Sequence, residues 1–214
     1  MPVITHYRLR TSTPAAAVAL ILMVLTAVAC GGDQKAPETT APAGFTVASS
    51  DKEGFALAVP SEWTQIPLTI NPADFDKTAN ALRLENPKLA SILNQARVLG
   101  QAGGKFMAVA KDGVANVNLT VDKPKEKSVE EIVTASIEGL KNFEATNIAQ
   151  EPATLNGKPT IKVTFRLPVQ TDDGTVPTDE VQHYLLDDKK AYILTVAGAP
   201  AEVASAIAAS VRLR

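Results

Sequence analysis

Chemistry in a protein needs nucleophiles, titratable groups or metal ligands that can meet, and this chain holds few of them. Its 214 residues include one cysteine, Cys30, and two histidines, His6 and His183. Structural and catalytic zinc sites usually take several His or Cys ligands, which this inventory cannot supply. A hydrolase triad built on His183 would need a Gly-x-Ser-x-Gly elbow, and none occurs. The glycine-rich "GQAGG", Gly100 to Gly104, has neither the spacing nor the Lys-Ser ending of a phosphate loop. His183, in "EVQHYLL", shares a strand face with Val181 and Leu185 and reads as a partly buried histidine satisfied by one hydrogen bond. "QTDDGTVPTDE" gathers Asp172, Asp173, Asp179 and Glu180 in one loop, without the spacing of an EF-hand, and reads as solvated charge. Trp63 follows a strand and reads as a cap on a sheet core. The expectation is a non-catalytic chain with no metal and no cofactor.

Cys30 has a different context. Pro14 to Val28, "PAAAVALILMVLTAV", carries no charge, follows Arg8 and Arg10, and no acidic residue precedes Asp33. A membrane span needs roughly 20 apolar residues, so the run is short for a permanent helix and fits the apolar core of an export signal. The small Ala27 and Ala29 stand where a signal peptidase needs small side chains. "TAVAC" resembles the lipobox of bacterial lipoproteins, although Ala27 stands where leucine is commonest. That resemblance implies cleavage before Cys30, a diacylglyceryl thioether on its sulfur and often a third acyl chain on its amine. Two chains meet the requirement for stable anchoring. An uncleaved signal anchor, or a bare thiol after an ordinary signal peptide, are the other readings of the same residues. The whole chain has net charge −2, and losing residues 1–29 removes two arginines and makes it more negative. Such a balance speaks against nucleic acid and against electrostatic adhesion to an anionic membrane, and leaves anchoring to lipid on Cys30.

Three segments are expected: a signal peptide at 1–29, a lipidated cysteine with a flexible tether at 30–44, and one domain at 45–214. "GGDQKAPETTAPAG" has no large apolar residue and cannot bury enough surface to fold. In the domain, "GFALAVP" reads as a strand stopped by Pro60. "TIKVTFRLPV" puts Ile161, Val163, Phe165 and Leu167 on one face and Thr160, Lys162, Thr164 and Arg166 on the other, as a half-solvated strand does. Asn156-Gly157 ahead of it is a hairpin signal, because both central residues of a type I′ turn need positive φ. "KFMAVAK" and "ANVNLTVDK" flank Asp112-Gly113 as a second hairpin; "EVQHYLL" and "AYILTVA" flank "DDKK" as a third. Ser128 with Glu131 makes a capping box before Val129, Ile132, Val133, Ile137 and Leu140. Pro200 starts a last helix with Val203, Ala206 and Ile207 on one face. Asn86-Pro87 starts a helix with Leu89, Ile92, Leu93, Ala96 and either Leu99 or Gly100 inward, and Asn71-Pro72 a shorter one with Phe75, Ala79 and Leu82. Strands and helices do not alternate regularly, so the expected fold class is α+β: an antiparallel sheet flanked by helices.

"EGFALAVPSEW" resembles the opening of PsbP-like domains, a strand that ends in Pro and Trp. "SVEEIVTASIEGLKN", "LNGKPTIKVTFR" and "YLLDDKKAYILTVAGAPAEVASAIAASVRL" resemble the later helix, hairpin and strand-helix segments of that group, and among its members LpqN-type lipoproteins. The resemblance implies an accessory or adaptor role rather than catalysis. The expected function is therefore a lipid-anchored cell-envelope protein on the extracytoplasmic side of the membrane, binding another envelope protein and no nucleic acid. The alternative is a carrier or sensor of a small lipophilic ligand, with the Pro72 to Leu99 region as a lid and Leu82, Leu89 and Leu93 lining a pocket.

Overall fold

Ten strands and four helices follow one another in a computed structural model that describes residues 35–68, 71–123, 128–171, 174–187 and 190–214. The expected signal segment, Cys30, the start of the expected tether, and Asp172 and Asp173 lie outside the described residues. The strands are β1 (Phe45–Ser50), β2 (Phe55–Pro60), β3 (Thr64–Gln65), β4 (Gly104–Val109), β5 (Asn116–Asp122), β6 (Thr146–Leu155), β7 (Lys158–Thr171), β8 (Gly174–Asp187), β9 (Lys190–Ala197) and β10 (Arg212–Leu213). The helices are α1 (Pro72–Glu85), α2 (Ala90–Gln101), α3 (Val129–Asn142) and α4 (Ala201–Ser210), with a 3-10 turn at Pro87–Leu89 between the first two. No described helix is long and apolar enough to cross a membrane.

The class is α+β, as the sequence pattern implies, but the strands form two sheets. One has the order β1-β2-β10 and the other β3-β4-β5-β9-β8-β7-β6, and the pairings within both are antiparallel. The separation follows from β2, all six residues of which are buried. Its Phe55, Leu57 and Val59 pack with Phe106, Ala108, Val117, Leu119, Leu194 and Val196 of the large sheet, and Ile207 and Val211 complete this cluster. The rings of Phe55 and Phe106 meet edge to face, 5.9 Å apart. Burying an aliphatic or aromatic side chain of this kind contributes about 1.5–3 kcal/mol, so this cluster joins the two sheets. Half-buried Trp63 packs against it.

Two smaller cores lie on the opposite face of the large sheet. Leu89, Ile92, Leu93 and Ala96 pack with Phe75, Ala79, Met107 and Val109, with Leu82 and Leu99 partly buried against them. Ile132, Val133 and Leu140 of α3 pack with Val163, Phe165 and Tyr184, joined by Ile161, Leu167 and Ile193. Leu82, Leu89 and Leu93, expected to line a pocket beneath a lid, thus pack into the core instead.

Local signals place these elements. Asn71 Oδ1 accepts from the Asp74 amide at 3.0 Å and caps α1, which at 14 residues is longer than α2, not shorter as its sequence suggested. Asn156 and Gly157 have φ of 54° and 71°, the positive pair that the β6–β7 turn requires. Gly113 has φ 77°, and a Cβ there would stand 2.3 Å from the Lys88 carbonyl oxygen, so this turn holds the 3-10 segment closely. Ser128 Oγ accepts from the Glu131 amide at 3.2 Å at the start of α3. Ser128→Ala is expected to lower stability by about 1 kcal/mol, seen as a lower urea midpoint with unchanged slope.

One correction concerns "QTDDGTVPTDE". On either side of Asp172 and Asp173 the described residues are strand and not loop: β7 and β8 continue as a long hairpin in which Pro168 faces Pro177 and Arg166 faces Asp179. Two adjacent prolines tolerate this because they occupy paired positions far out on the ribbon, beyond the third strand. Asp179 takes a two-point hydrogen bond from Arg166, 2.7 Å from Nε and 2.9 Å from Nη2, which holds its carboxyl below the ordinary range. Glu180 points to the other face.

Candidate functional site

The register of the large sheet decides which side chains share a face, because directly paired residues project to the same side. Three rows run across the helix-bearing face. One reads Met107, Asn118, Thr195, Gln182, Val163 across β4, β5, β9, β8 and β7. The next reads Val109, Asn116, Ala197, Glu180, Phe165. The third carries Thr120, Ile193, Tyr184 and Ile161. The ends of the first two rows are apolar and belong to the two helical cores. Their middle is polar: Asn116, Asn118, Thr195, Gln182 and Glu180 form a band between α2 and α3.

Such a band costs stability unless its groups are hydrogen-bonded. Part of it is. Ser136 Oγ on α3 lies 2.5 Å from the Tyr184 hydroxyl, Tyr184 donates to Gln182 Oε1, and Gln182 Nε2 donates to Thr195 Oγ1 at 3.3 Å. Tyr184 has one proton, so Ser136 is the donor to it and Thr195 keeps its own O–H to give. Burial pushes the Tyr184 phenol above its ordinary pKa, partly offset by the Ser136 bond. Asn116 Nδ2 donates to the Val114 carbonyl at 3.1 Å, leaving Oδ1 as an acceptor.

Two groups of the band have no partner within the protein and are left to solvent, whereas the buried side-chain atom without a partner among the described residues is His183 Nδ1. Among the described residues, neither the Asn118 amide nor the Glu180 carboxyl has a hydrogen-bond or ionic partner. Glu180 stands between Phe165 and the small Ala197, and burial raises its carboxyl to about 7. A carboxyl kept near neutrality by desolvation, with no cation beside it, marks a candidate binding position.

Beside this band a groove of about 530 Å³ runs along α2. Val98, Leu99 and Ala102 line it with Asn94 and Gln95, and Met107, Asn116 and Asn118 form its base. Val98 is 64% exposed although it is a large apolar residue on a packed helix. The groove thus joins an apolar wall to a base that offers amide donors and acceptors.

The residues singled out in sequence do not enter this site. His183 lies on the opposite face of β8, paired with Lys162 and Leu194. It is 7% exposed, and its Nδ1 has no partner, so the expected hydrogen bond to that atom is not made. Burial, with Lys162 nearby, lowers its pKa to about 4. The strand itself therefore separates the imidazole from Ser136, Tyr184 and Glu180. No described group of three or more His, Cys, Asp or Glu residues could hold a metal ion. The residues that sequence reasoning missed, Asn116, Asn118, Gln182 and Thr195, were visible only as the polar half of "NVNLTVD" and of neighbouring strands.

No family model and no curated protein matches the chain. Among solved structures it is similar to the cyanobacterial PsbP of Synechocystis sp. PCC 6803, at 14% identity and TM-score 0.49, covering 87% of this chain and 98% of that one. It is also similar to LpqN of Mycobacterium tuberculosis, described as involved in cell envelope biogenesis, at 10% identity and TM-score 0.37, covering 85% and 86% of the two chains. A third similarity is to a Pseudomonas aeruginosa protein of unknown function, at 9% identity and TM-score 0.35, covering 75% of this chain and 87% of that one. A PsbP and an LpqN, the names that the sequence resemblance raised, are thus among the similar structures.

Proposed function

We propose that this chain is a cell-envelope binding protein, tethered by acyl chains on Cys30 to the extracytoplasmic side of the membrane, that engages another envelope protein in the groove along α2. The observation that carries this reading is the polar band that divides two apolar cores on one sheet face. A domain built only for stability would continue the apolar surface from Met107 and Val109 to Val163 and Phe165. Here five polar side chains interrupt it, and two of them lack partners. A partner segment that sets an apolar side chain on Val98 and Leu99 and hydrogen-bonds to Asn118 and Thr195 would satisfy both halves of the groove.

The geometry favours binding over catalysis. Ser136 and Thr195 are the two ends of a hydrogen-bonded chain through Tyr184 and Gln182, and among the described residues no base hydrogen-bonds to either hydroxyl. The histidine that could serve lies across the strand.

A photoreactive residue placed at Val98 of the full chain, expressed in its own envelope, tests the proposal. A discrete protein adduct is expected, lost when Asn118→Trp fills the groove. Leu84, 86% exposed on α1, serves as the control for an apolar surface outside the groove. Equal labelling from both positions would remove the groove from consideration, and a lipid adduct at Val98 alone would replace the protein partner with the lipophilic ligand.

A further inference from the structure

The segment expected to be a free tether is not free from Lys35 onward. Its Ala36 amide donates to Asp51 Oδ1, and Thr39 Oγ1 donates to the Ser210 carbonyl at 2.6 Å. Arg214 clamps its start: one guanidinium nitrogen donates to the Lys35 carbonyl and the other to the Asp51 carbonyl at 2.7 Å. The segment then runs beside Val47, Ser49, Ala206, Ala209 and Arg212 and enters β1 through Pro42, whose carbonyl accepts from Phe45. It lies antiparallel to β1, so the chain leaves the domain beside the β1–β2 turn and not beside the start of β1.

That exit sits at one end of the fold. Arg214 N donates to the Gly54 carbonyl at 2.9 Å, Tyr192 Oη donates to the Arg214 carbonyl at 3.0 Å, and Asn156 Nδ2 donates to the Leu213 carbonyl at 3.0 Å. The β1–β2 turn, the β6–β7 turn, the start of β9 and the last residues are thus one surface. Lys35, Lys52, Lys123, Lys190 and Arg214 are exposed on it. Of its acids, Glu53 pairs with Lys105 at 3.5 Å and Asp187 with Lys158, while Asp51 and Asp122 accept from backbone amides and Glu38 is exposed. With Lys105 and Lys158 counted, seven basic side chains stand against these five acids among the described residues. A chain that is negative overall therefore presents a cationic end where its anchor leaves.

We infer that this end of the fold is held against the anionic surface of the bilayer, with residues 35–42 as a strap and Arg214 as its latch; the inference rests on the proposed anchor at Cys30. The reach of the chain sets the geometry. Four residues, and so five steps along the chain, separate Cys30 from Lys35, and extended chain spans about 3.5 Å per step, so the reach to the strapped end is at most about 18 Å, against about 50 Å for a free tether to Gly44. At that height basic side chains interact with anionic headgroups, which they would not do beyond a Debye length. The opposite end, with the Asp112-Gly113 turn, points away from the bilayer.

Energy transfer to a headgroup-labelled lipid tests this on the intact lipidated chain, in vesicles of phosphatidylcholine with phosphatidylglycerol. An acylated Cys30 leaves a single introduced cysteine, Lys52→Cys or Lys111→Cys, as the only site for the dye. β1 alone spans roughly 20 Å, so the Lys52 position is expected to transfer at least about threefold more strongly than the Lys111 position at the far end. Releasing the strap with Arg214→Ala and Thr39→Ala is expected to make the two positions equal. Equal transfer in the strapped chain, with the acyl mass confirmed, would overturn the orientation and leave the anchor standing. A bare thiol by intact mass, with no transfer at either position, would overturn both.

Discussion

Glu180→Gln is expected to stabilise the folded domain by about 3 kcal/mol at pH 8 and by almost nothing at pH 4. The cause is one carboxyl whose folded pKa is raised to about 7 by burial, against an ordinary value of 4.5. Below pH 4.5 it is neutral in both states and contributes no difference. Between 4.5 and 7 the folded chain holds a proton that the unfolded chain releases, so stability falls as pH rises through this window. Above 7 the full cost of an ionised, desolvated carboxylate is present. A shift of about 2.5 pKa units converts to about 3 kcal/mol, and glutamine, neutral at every pH, removes it. No cation among the described residues faces Glu180; its electrostatic neighbour is the Tyr184 phenol on the same strand face, neutral throughout this range. Urea unfolding of both proteins at pH 8 and pH 4 reads the effect. Parallel dependence of the two proteins on pH would show that the Glu180 carboxyl is solvated or paired in solution.

This cost also bears on the groove. A carboxyl retained in a desolvated row, where glutamine or leucine would be more stable, is the kind of local conflict found where sequence serves binding. Nothing in the local pattern of "TDEVQHYLL" shows the conflict. Glu180 reads there as one more acid after Asp172, Asp173 and Asp179, and its burial depends on Phe165, Ala197 and α3, which come from three other elements. The same limit applies along the band. The alternation of Asn116, Asn118 and Thr120 with Val117, Leu119 and Val121 was legible as a half-polar strand. That Asn118 lies beside Thr195, and Thr195 beside Gln182, follows from β5 pairing with β9 and β9 with β8, which alternation alone does not specify.

Elements whose signals are local were legible for the same reason. The capping box at Ser128, the Asn156-Gly157 turn and the two faces of β7 depend on neighbours within a few residues. The β1–β2 layer and the strap were not legible. Composition identified residues 31–44 as unable to build a core, which remains physically sound, but the contacts that hold the segment from Lys35 use the backbone carbonyls of Lys35, Asp51 and Ser210. Every residue carries such groups, so no sequence pattern distinguishes a segment that uses them from one that does not.

His183→Leu supplies the opposite experiment on the other face of the same strand. The folded imidazole titrates at about 4, depressed first by burial and then by Lys162, against an ordinary 6.5. Its sign is the reverse of that of Glu180. The stability tied to neutral His183 is fully present above pH 6.5 and is lost as pH falls through 4, because the unfolded chain binds a proton that the folded chain refuses. The size is again about 3 kcal/mol. In the unmodified protein the two titrations overlap between pH 4.5 and 6.5 with opposite slopes, so stability there is expected to be nearly flat. Each replacement alone exposes the other group: Glu180→Gln leaves a domain that loses stability on acidification, and His183→Leu one that gains it. Leucine also removes the unpartnered Nδ1, so a small gain is expected even at neutral pH. The two side chains project from opposite faces of β8 and share no partner, so the double replacement should restore a flat profile, additive within about 0.5 kcal/mol. A double variant that keeps the slope of either single one would mean that the two groups are coupled through the strand, and that the sheet does not keep the face bearing the polar band independent of the core behind it.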